Sequence, residues 1–574
     1  MKTPRTVSLP TPFEQNITDP PFATYPRPQM VRDSYFCLNG KWDLSLRSPA
    51  GSEKYMGEIL VPYPPESRLS GIEQEIKPGE IMVYRRSFTL PEEFGQTEAG
   101  SRILLHFGAV DQYAVVFLNG HLVGKNKGGY LPFSMDITDY LLDEENDLVV
   151  EAYDALDTDL PYGKQTRKRG GMWYTPVSGI WQTVWLECVP DAAIRSLKIT
   201  PTLDSITVEV EGGADEKVLT LEGIEHHFKG KGVTILITDP HLWTPEDPYL
   251  YEFTLTSGED SVESYFALRT VGVTEVNGRS LLTLNEKPYF FHGLLDQGYY
   301  SDGICLPATE QGLLNDIRQM KACGFNMLRK HIKVEPDLFY YLCDKLGMMV
   351  FQDMVNSGKY HFLIDTALPT IGLRKGITHH ATSRRKKYFF ECAEGMMAHL
   401  YNHPSVCYYT IFNEGWGQFD ADKVYDRLKA EDPTRVFDTT SGWFKKKKSD
   451  VESDHVYFKK VKLKSVPGKP MVLSEFGGYS CKVEGHAFNL DKTYGYRYFK
   501  ELSDFEDALV ALYENEIIPH IEMGLSAAVL TQVSDVEDET NGLLTYDREI
   551  LKVDPRRMKK LAKRMREIFE LAWR

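Results

Sequence analysis

The chain has 574 residues, enough for about three or four domains with substantial cores. Its 42% hydrophobic, 12% aromatic and 26% charged residues are those of an ordinary soluble globular protein. The net charge of -16 argues against nucleic acid or an anionic membrane as the main partner, because both demand clustered positive charge.

Residues 1 to 190 read as all-β. Alternating runs such as Met82 to Leu90, Ile103 to Phe107 and Ala114 to Leu118 are separated by turn signals, among them Asn119-Gly120, a strong hairpin cue, and together they predict a sandwich. Gly128 to Phe133 and Asp136 to Asp139 read as structural turns, and no catalytic constellation stands out here. Gly170 to Leu186 carries three of the eight tryptophans. Trp181 and Trp185, in its strand-like part, are expected in the core, whereas Trp173 on the glycine-rich loop is the better candidate for ligand contact. Alternation continues from 191 to 275 over a length suited to an immunoglobulin-like sandwich, expected to hold the first unit against the third.

At about 276 the pattern changes to strand, helix, strand, helix. Tyr289 to Gly293, Asn326 to His331 and Met348 to Asp353 read as strands, with helices over Thr309 to Cys323 and Pro336 to Leu346. Later strands are expected at Ser405 to Phe412, Val436 to Thr440, Asp454 to Phe458, Met471 to Ser474 and Ala527 to Gln532, and a closing helix at about Pro555 to Leu571. Such alternation over roughly 300 residues predicts a C-terminal (β/α)8 barrel, residues 276 to 574. Asn356 to Lys387 is long for a barrel loop and is a candidate lid. Lys445 to Lys448 reads as a solvated loop. No apolar run approaches the roughly 20 residues that span a bilayer, and the first ten residues hold no hydrophobic signal core, so a cytoplasmic location is the expectation. The eight cysteines lack metal-type spacing and read as free thiols in a reducing compartment.

Two strands end on carboxylates. The buried run Ser405 to Phe412 delivers Asn413-Glu414-Gly415-Trp416, and Pro470 to Ser474 delivers Glu475-Phe476-Gly477. In a parallel barrel both strand ends open onto the same face, and two facing carboxylates are the equipment of glycoside hydrolysis. An ordinary structural role for each glutamate is the alternative.

These residues carry a family resemblance. Val110-Asp111, Asn119-Gly120, Gly128-Gly129-Tyr130, Val177 to Trp181, His292-Gly293, Gly324-Phe325-Asn326 with Arg329 and His331, Asn413-Glu414 and Ser474 to Gly477 resemble glycoside hydrolase family 2 over nearly the whole length. The resemblance implies a jelly-roll-like sugar-binding sandwich (1 to 190), the immunoglobulin-like sandwich (191 to 275) and the catalytic barrel. It implies a retaining mechanism with Glu414 as general acid/base and Glu475 as nucleophile. Arg329 is suited to keep Glu475 charged, Asn413 to bond the sugar 2-hydroxyl, and Tyr457 to donate to Glu475. His331, Asp353, Trp443 and His455 lie at strand ends and are candidates to line the sugar subsite.

The chain lacks the Glu-x-His pair by which some relatives bind magnesium, so no metal or other cofactor is expected. It also lacks the Asn-x-Lys pair with which β-glucuronidases hold the sugar carboxylate. The cluster Arg329-Lys330-His331-Ile332-Lys333 nevertheless makes Lys333 a candidate partner for a uronic acid, with pairing to Glu335 or Asp353 the competing reading. The expected activity is therefore exo-acting, retaining hydrolysis of a terminal β-galactoside. The alternatives are a β-hexuronide (glucuronide or galacturonide) and, in another class, a non-catalytic carbohydrate-binding protein on a hydrolase scaffold. A homo-oligomer is compatible with the family.

Overall fold

The computed structural model of the chain describes residues 5–95, 100–370, 373 and 381–573. The N-terminal sandwich packs a four-stranded sheet (Phe36–Cys37, Val184–Pro190, Ser101–Phe107, Phe133–Asp136) on a six-stranded one running from Glu53–Val61 to His121–Lys127. The inward residues of both sheets, among them Trp42, Leu44, Val116, Leu148 and Leu186, form its core. The hairpin cue is realised, since Asn119 and Gly120 sit at φ 51° and 80°, as a turn with two left-handed residues requires. A second sandwich follows, with three strands (Ile194–Pro201, Ser205–Gly212, Gly232–Leu236) facing four (Ile224–Lys229, Glu216–Leu221, Tyr251–Ser257, Asp260–Phe266). It touches both neighbours, as expected. Arg32 pairs with Asp260 at 2.8 Å on one side, and the Asn402 amide oxygen accepts from the Ile199 N–H at 2.8 Å on the other.

The expected boundary at 276 falls on the tip of a hairpin, Val271–Val276 with Arg279–Leu284, that seals the bottom of the barrel through a Leu282 N–H bond to Ser526. The barrel strands are β1 Phe291–Asp296, β2 Met327–Lys330, β3 Met349–Asp353, β4 Val406–Asn413, β5 Val436–Ser441, β6 Glu452–Val456, β7 Met471–Gly477 and β8 Leu525–Thr531. They pair in parallel in the order β5-β4-β3-β2-β1-β8-β7-β6, and the Ser453 hydroxyl donates across the β5–β6 seam to Asp438 at 3.0 Å. Strands β1, β2, β3, β4, β5, β7 and β8 are buried along their full length, as parallel strands covered on both faces must be. Helices Glu310–Ala322, Asp337–Leu346 and Pro555–Trp573 lie close to the expected ranges, and the last closes the outer ring with Met558, Leu561, Met565 and Phe569 in the core.

Strand alternation explains how charge reaches the centre. Met327, Met349 and Phe351 fill the barrel interior. Arg329 and Asp353, two residues further along β2 and β3, therefore point the same way at the open end. The candidate lid is only partly described. Its Leu363–Ala367 turn is a π-helix, and Ser383–Lys387 is not loop but the first turn of the helix Ser383–Leu400. Residues 371–372 and 374–380 lie outside the described residues.

Candidate active site

Arg329 is the hub. Its guanidinium is buried and donates to Asp353 Oδ1 at 3.0 Å, Glu475 Oε1 at 3.0 Å, the Ser474 carbonyl at 3.0 Å and Asn413 Oδ1 at 2.9 Å. Burial opposes its charge, but the carboxylates of Asp353 and Glu475 outweigh that and raise its pKa further. Because a guanidinium only donates, the Asn413 atom facing it must be the oxygen. The Asn413 amide nitrogen is thereby left to donate elsewhere.

Glu475, at the end of β7, receives Arg329 on one oxygen and the Tyr457 hydroxyl on the other. Tyr457 is itself held by Thr531 at 3.0 Å and stacks on Tyr496 with ring centres 4.1 Å apart. Burial and the Glu475 charge push the Tyr457 pKa well up, so the phenol keeps its proton and donates.

Glu414 leaves β4 in a left-handed conformation, φ 52°, with its N–H bonded to the Ser441 carbonyl at 2.9 Å. Such a conformation in a non-glycine residue costs roughly 1–3 kcal/mol and is held only where the surroundings impose it. Gly415 then follows at φ 78°, where a Cβ would lie 2.1 Å from the Phe444 ring. A carboxylate oxygen of Glu414, one of Glu475 and a ring nitrogen of His455 all lie within 4.8 Å of one another.

His455 bridges the pair. Its Nδ1 is 2.7 Å from Glu414 Oε1 and 3.4 Å from Glu475 Oε2, while its Nε2 faces Arg329 at 3.4 Å and Ser441 at 3.0 Å. Burial lowers its pKa to about 3, Arg329 adding to that effect while Glu475 opposes it, so the ring is neutral. Arg329 can only donate, so Nε2 accepts and Nδ1 carries the hydrogen. His455 therefore donates to Glu414 Oε1.

The expected sugar-lining residues divide. His331 is neutral, its pKa lowered to about 3 by burial, and bonds Asp353 Oδ2 through Nδ1 at 2.6 Å. Asp353 is thus committed on both oxygens, to Arg329 and His331, and orients its neighbours rather than reaching for a sugar. Trp443 packs near His455, with ring centres 6.3 Å apart. Lys333 is corrected outright. It is 2% exposed, and its ammonium is consumed by Glu335 at 2.9 Å and the carbonyls of Gly298 and Cys305, so the loop after β2 turns it away from any uronate.

The first sandwich reaches the barrel mouth, in line with the expectation for Trp173. Its loop from 154 to 178 docks on the barrel mouth. The Tyr162 N–H bonds the Asn356 carbonyl at 3.1 Å, the Tyr162 hydroxyl bonds the Gly358 carbonyl at 2.8 Å, and the Thr175 N–H bonds Glu537 at 2.8 Å. Trp173 on this loop, the anticipated ligand-contact tryptophan, packs edge-on against Trp416 with ring centres 4.9 Å apart and lies 4.7 Å from the Tyr360 ring. Trp181 and Trp185 are core residues, as expected. Sequence reasoning missed Lys164, Trp416, Tyr496 and Glu539. Only Trp416 stood in a stretch that had already drawn attention.

Glu414, His455 and Glu475 are also the one group among the described residues whose His, Cys, Asp and Glu donor atoms gather closely enough to hold a metal ion. The Arg329 guanidinium beside Glu475 works against a cation there. The eight cysteines are unpaired. Among the described residues no helix is long and apolar enough to cross a membrane.

Three family models match in order. "Glycosyl hydrolase 2 galactose-binding domain-like" covers residues 73–179, "Glycosyl hydrolases family 2" covers 194–269, and "Glycosyl hydrolases family 2, TIM barrel domain" covers 274–549. A β-galactosidase of Leuconostoc mesenteroides is 27% identical over 378 residues, 58% of this chain and 33% of that protein. A β-glucuronidase of Felis catus is 25% identical over 377 residues, 58% of this chain and 54% of that protein. The chain thus spans about a third to a half of the length of these relatives. The solved β-D-glucuronidase of Dictyoglomus thermophilum shares the fold, with a TM-score of 0.73 at 18% identity, covering 94% of this chain and 98% of that one.

Proposed function

Since the chain belongs to glycoside hydrolase family 2, we propose that it is an exo-acting, retaining β-glycosidase with Glu475 as nucleophile and Glu414 as acid/base. The observation that carries the reading is the approach of the two carboxylates to within 4.8 Å, a spacing that suits direct attack on the anomeric carbon and leaves no room for an intervening water. Arg329 and Tyr457 orient Glu475, each donating to one of its oxygens. Glu414 protonates the departing glycosidic oxygen while His455 holds its Oε1. The bond from Glu475 to the anomeric carbon forms as the bond to the leaving group breaks. In the second half, Glu414 takes a proton from water, which attacks the same carbon and releases Glu475. The free Asn413 amide donates to the sugar 2-hydroxyl, an interaction that tightens toward the oxocarbenium-like transition state.

The sequence alone favours a terminal β-galactoside with a β-hexuronide as the alternative, and because Lys333 is committed elsewhere, a uronide would need another cation to receive its carboxylate. The rival reading, a binding protein on a hydrolase scaffold, is disfavoured by an intact pair of glutamates with every supporting donor in place. The test is hydrolysis of a panel of p-nitrophenyl β-glycosides, with the anomer of the first-formed product read by NMR. Retention that disappears in Glu475→Gln supports the assignment. An inverted product, or full activity in Glu475→Gln, refutes it.

A further inference from the structure

Every buried lysine and arginine among the described residues has a hydrogen bond or ion pair for its charged head, with one exception. Lys164, 8% exposed, has neither. It lies on the sandwich loop that docks at the barrel mouth. Its backbone is fixed by a Tyr174 N–H bond to its carbonyl at 3.1 Å, and the next side chain, Gln165, is anchored to Asp111 at 2.8 Å and Tyr130 at 3.1 Å. The ammonium lies 5.6 Å from the centre of the Trp173 ring, and its charge acts on both His331 and Glu539. It is therefore on the side of the site where β2 and β3 end, next to the network that holds the nucleophile.

We propose that Lys164 is the specificity residue of this pocket, and that its ammonium receives the carboxylate of a terminal β-linked hexuronic acid. The inference rests on the glycosidase reading above. A lysine whose stem is buried and whose head has no counter-ion suits a ligand that brings the counter-charge. Hydroxyls of a neutral sugar supply no such charge, whereas a carboxylate does. Glu539, on which the Lys164 charge acts, does not take that place. It is turned to the Tyr174 hydroxyl and to the Gln532 amide at 3.1 Å, and burial raises its pKa, which weakens it as a competitor. Trp173, which packs on Trp416 and Tyr360, gives the ammonium an aromatic neighbour. Lys330 and Lys333, the other lysines near this strand end, are already neutralised by Asp296 and Glu335.

The test uses the full chain in two arms. In the first, wild type, Lys164→Gln, Lys164→Arg and the exposed-lysine control Lys168→Gln are compared on p-nitrophenyl β-D-galacturonide, β-D-glucuronide and β-D-galactoside. In the second, the Glu475→Gln protein, with and without Lys164→Gln, is titrated calorimetrically with galacturonate, glucuronate and galactose. The expected result is preference for a uronide, with Lys164→Gln lowering the ratio of uronide to galactoside kcat/KM by about 100-fold, the scale of losing one partner of a buried charge pair. Lys164→Arg keeps part of that ratio and Lys168→Gln leaves it unchanged. Lys164→Gln should likewise abolish the preference of the Glu475→Gln protein for the sugar acid. A ratio unmoved by Lys164→Gln, or wild-type preference for the galactoside, overturns the proposal. Failure to hydrolyse any glycoside counts against the glycosidase reading, and the binding arm then decides Lys164 independently.

Discussion

Replacing His455 with phenylalanine isolates one hydrogen bond of the reaction. The ring shape is retained in a buried position, while the Nδ1–H donor 2.7 Å from Glu414 Oε1 is lost. A bond of this kind to a carboxyl group is worth about 1.5–3 kcal/mol. If it serves to present the acid's proton, its loss should lower kcat/KM by about 10- to 150-fold. The loss should depend on the leaving group. A methyl or phenyl aglycone must be protonated as it departs, whereas 2,4-dinitrophenolate leaves unaided. The assay is therefore kcat/KM for aryl β-glycosides of graded leaving-group acidity, on whichever sugar the wild type accepts, with thermal melting to confirm that the variant is folded. A steeper dependence on leaving-group acidity in the variant is expected, with the dinitrophenyl substrate nearly spared. Equal losses across the series would refute the argument, since they would mean that His455 acts on the sugar or on Glu475 instead.

Other consequences can be checked in parallel. Glu475→Gln should lose at least about 10⁴-fold in kcat on every glycoside. Glu414→Ala should keep turnover of dinitrophenyl glycosides and gain rate from added azide with a β-glycosyl azide as product, and an α-azide would contradict retention. Lys333→Met leaves Glu335 and two carbonyls short of a partner, so it should cost about 3–5 kcal/mol of stability without changing sugar preference; a switched preference in a stable variant would restore Lys333 to the site. Glu66 in the first sandwich is buried, which raises its pKa from 4.5 to about 8, with its Oε1 lacking a partner. A raised folded-state pKa gives stability that is present below the unfolded value and is lost as pH rises toward 8, up to about 4 kcal/mol at pH 7.5. Glu66→Gln should therefore raise Tm at pH 7.5 and lose that advantage near pH 4.5, and a pH-independent effect would show that burial of the charge is not the cause.

The barrel and the two glutamates were legible because they are written locally. Uniformly buried β-branched and aromatic runs mark parallel strands, and the abrupt change at Asn413 and Glu475 marks where those strands meet solvent. Arg329 was legible for a related reason, since alternation along β2 sets its direction. The parts that were not legible depend on pairings between distant segments. Lys333 and Glu335 are two residues apart, and the sequence allowed both their pairing and an outward lysine; the backbone after β2 decides between them. Nothing in Tyr162-Gly163-Lys164-Gln165 says that this loop crosses to the barrel, because that depends on the Asn356 and Gly358 carbonyls nearly 200 residues away.

His455 shows the same limit at finer scale. Its place at a strand end was readable, but its role follows from what surrounds each ring nitrogen. Arg329 lies on one side and two carboxylates on the other. Were the ring to take a proton, its charge would sit between the two glutamates. Burial prevents this by holding the imidazole pKa near 3. Arg329 contacts Glu475 directly at 3.0 Å and reaches Glu414 only through the neutral ring. One cation placed on one side of the pair thus gives two like residues, delivered by two similar strand ends, different surroundings.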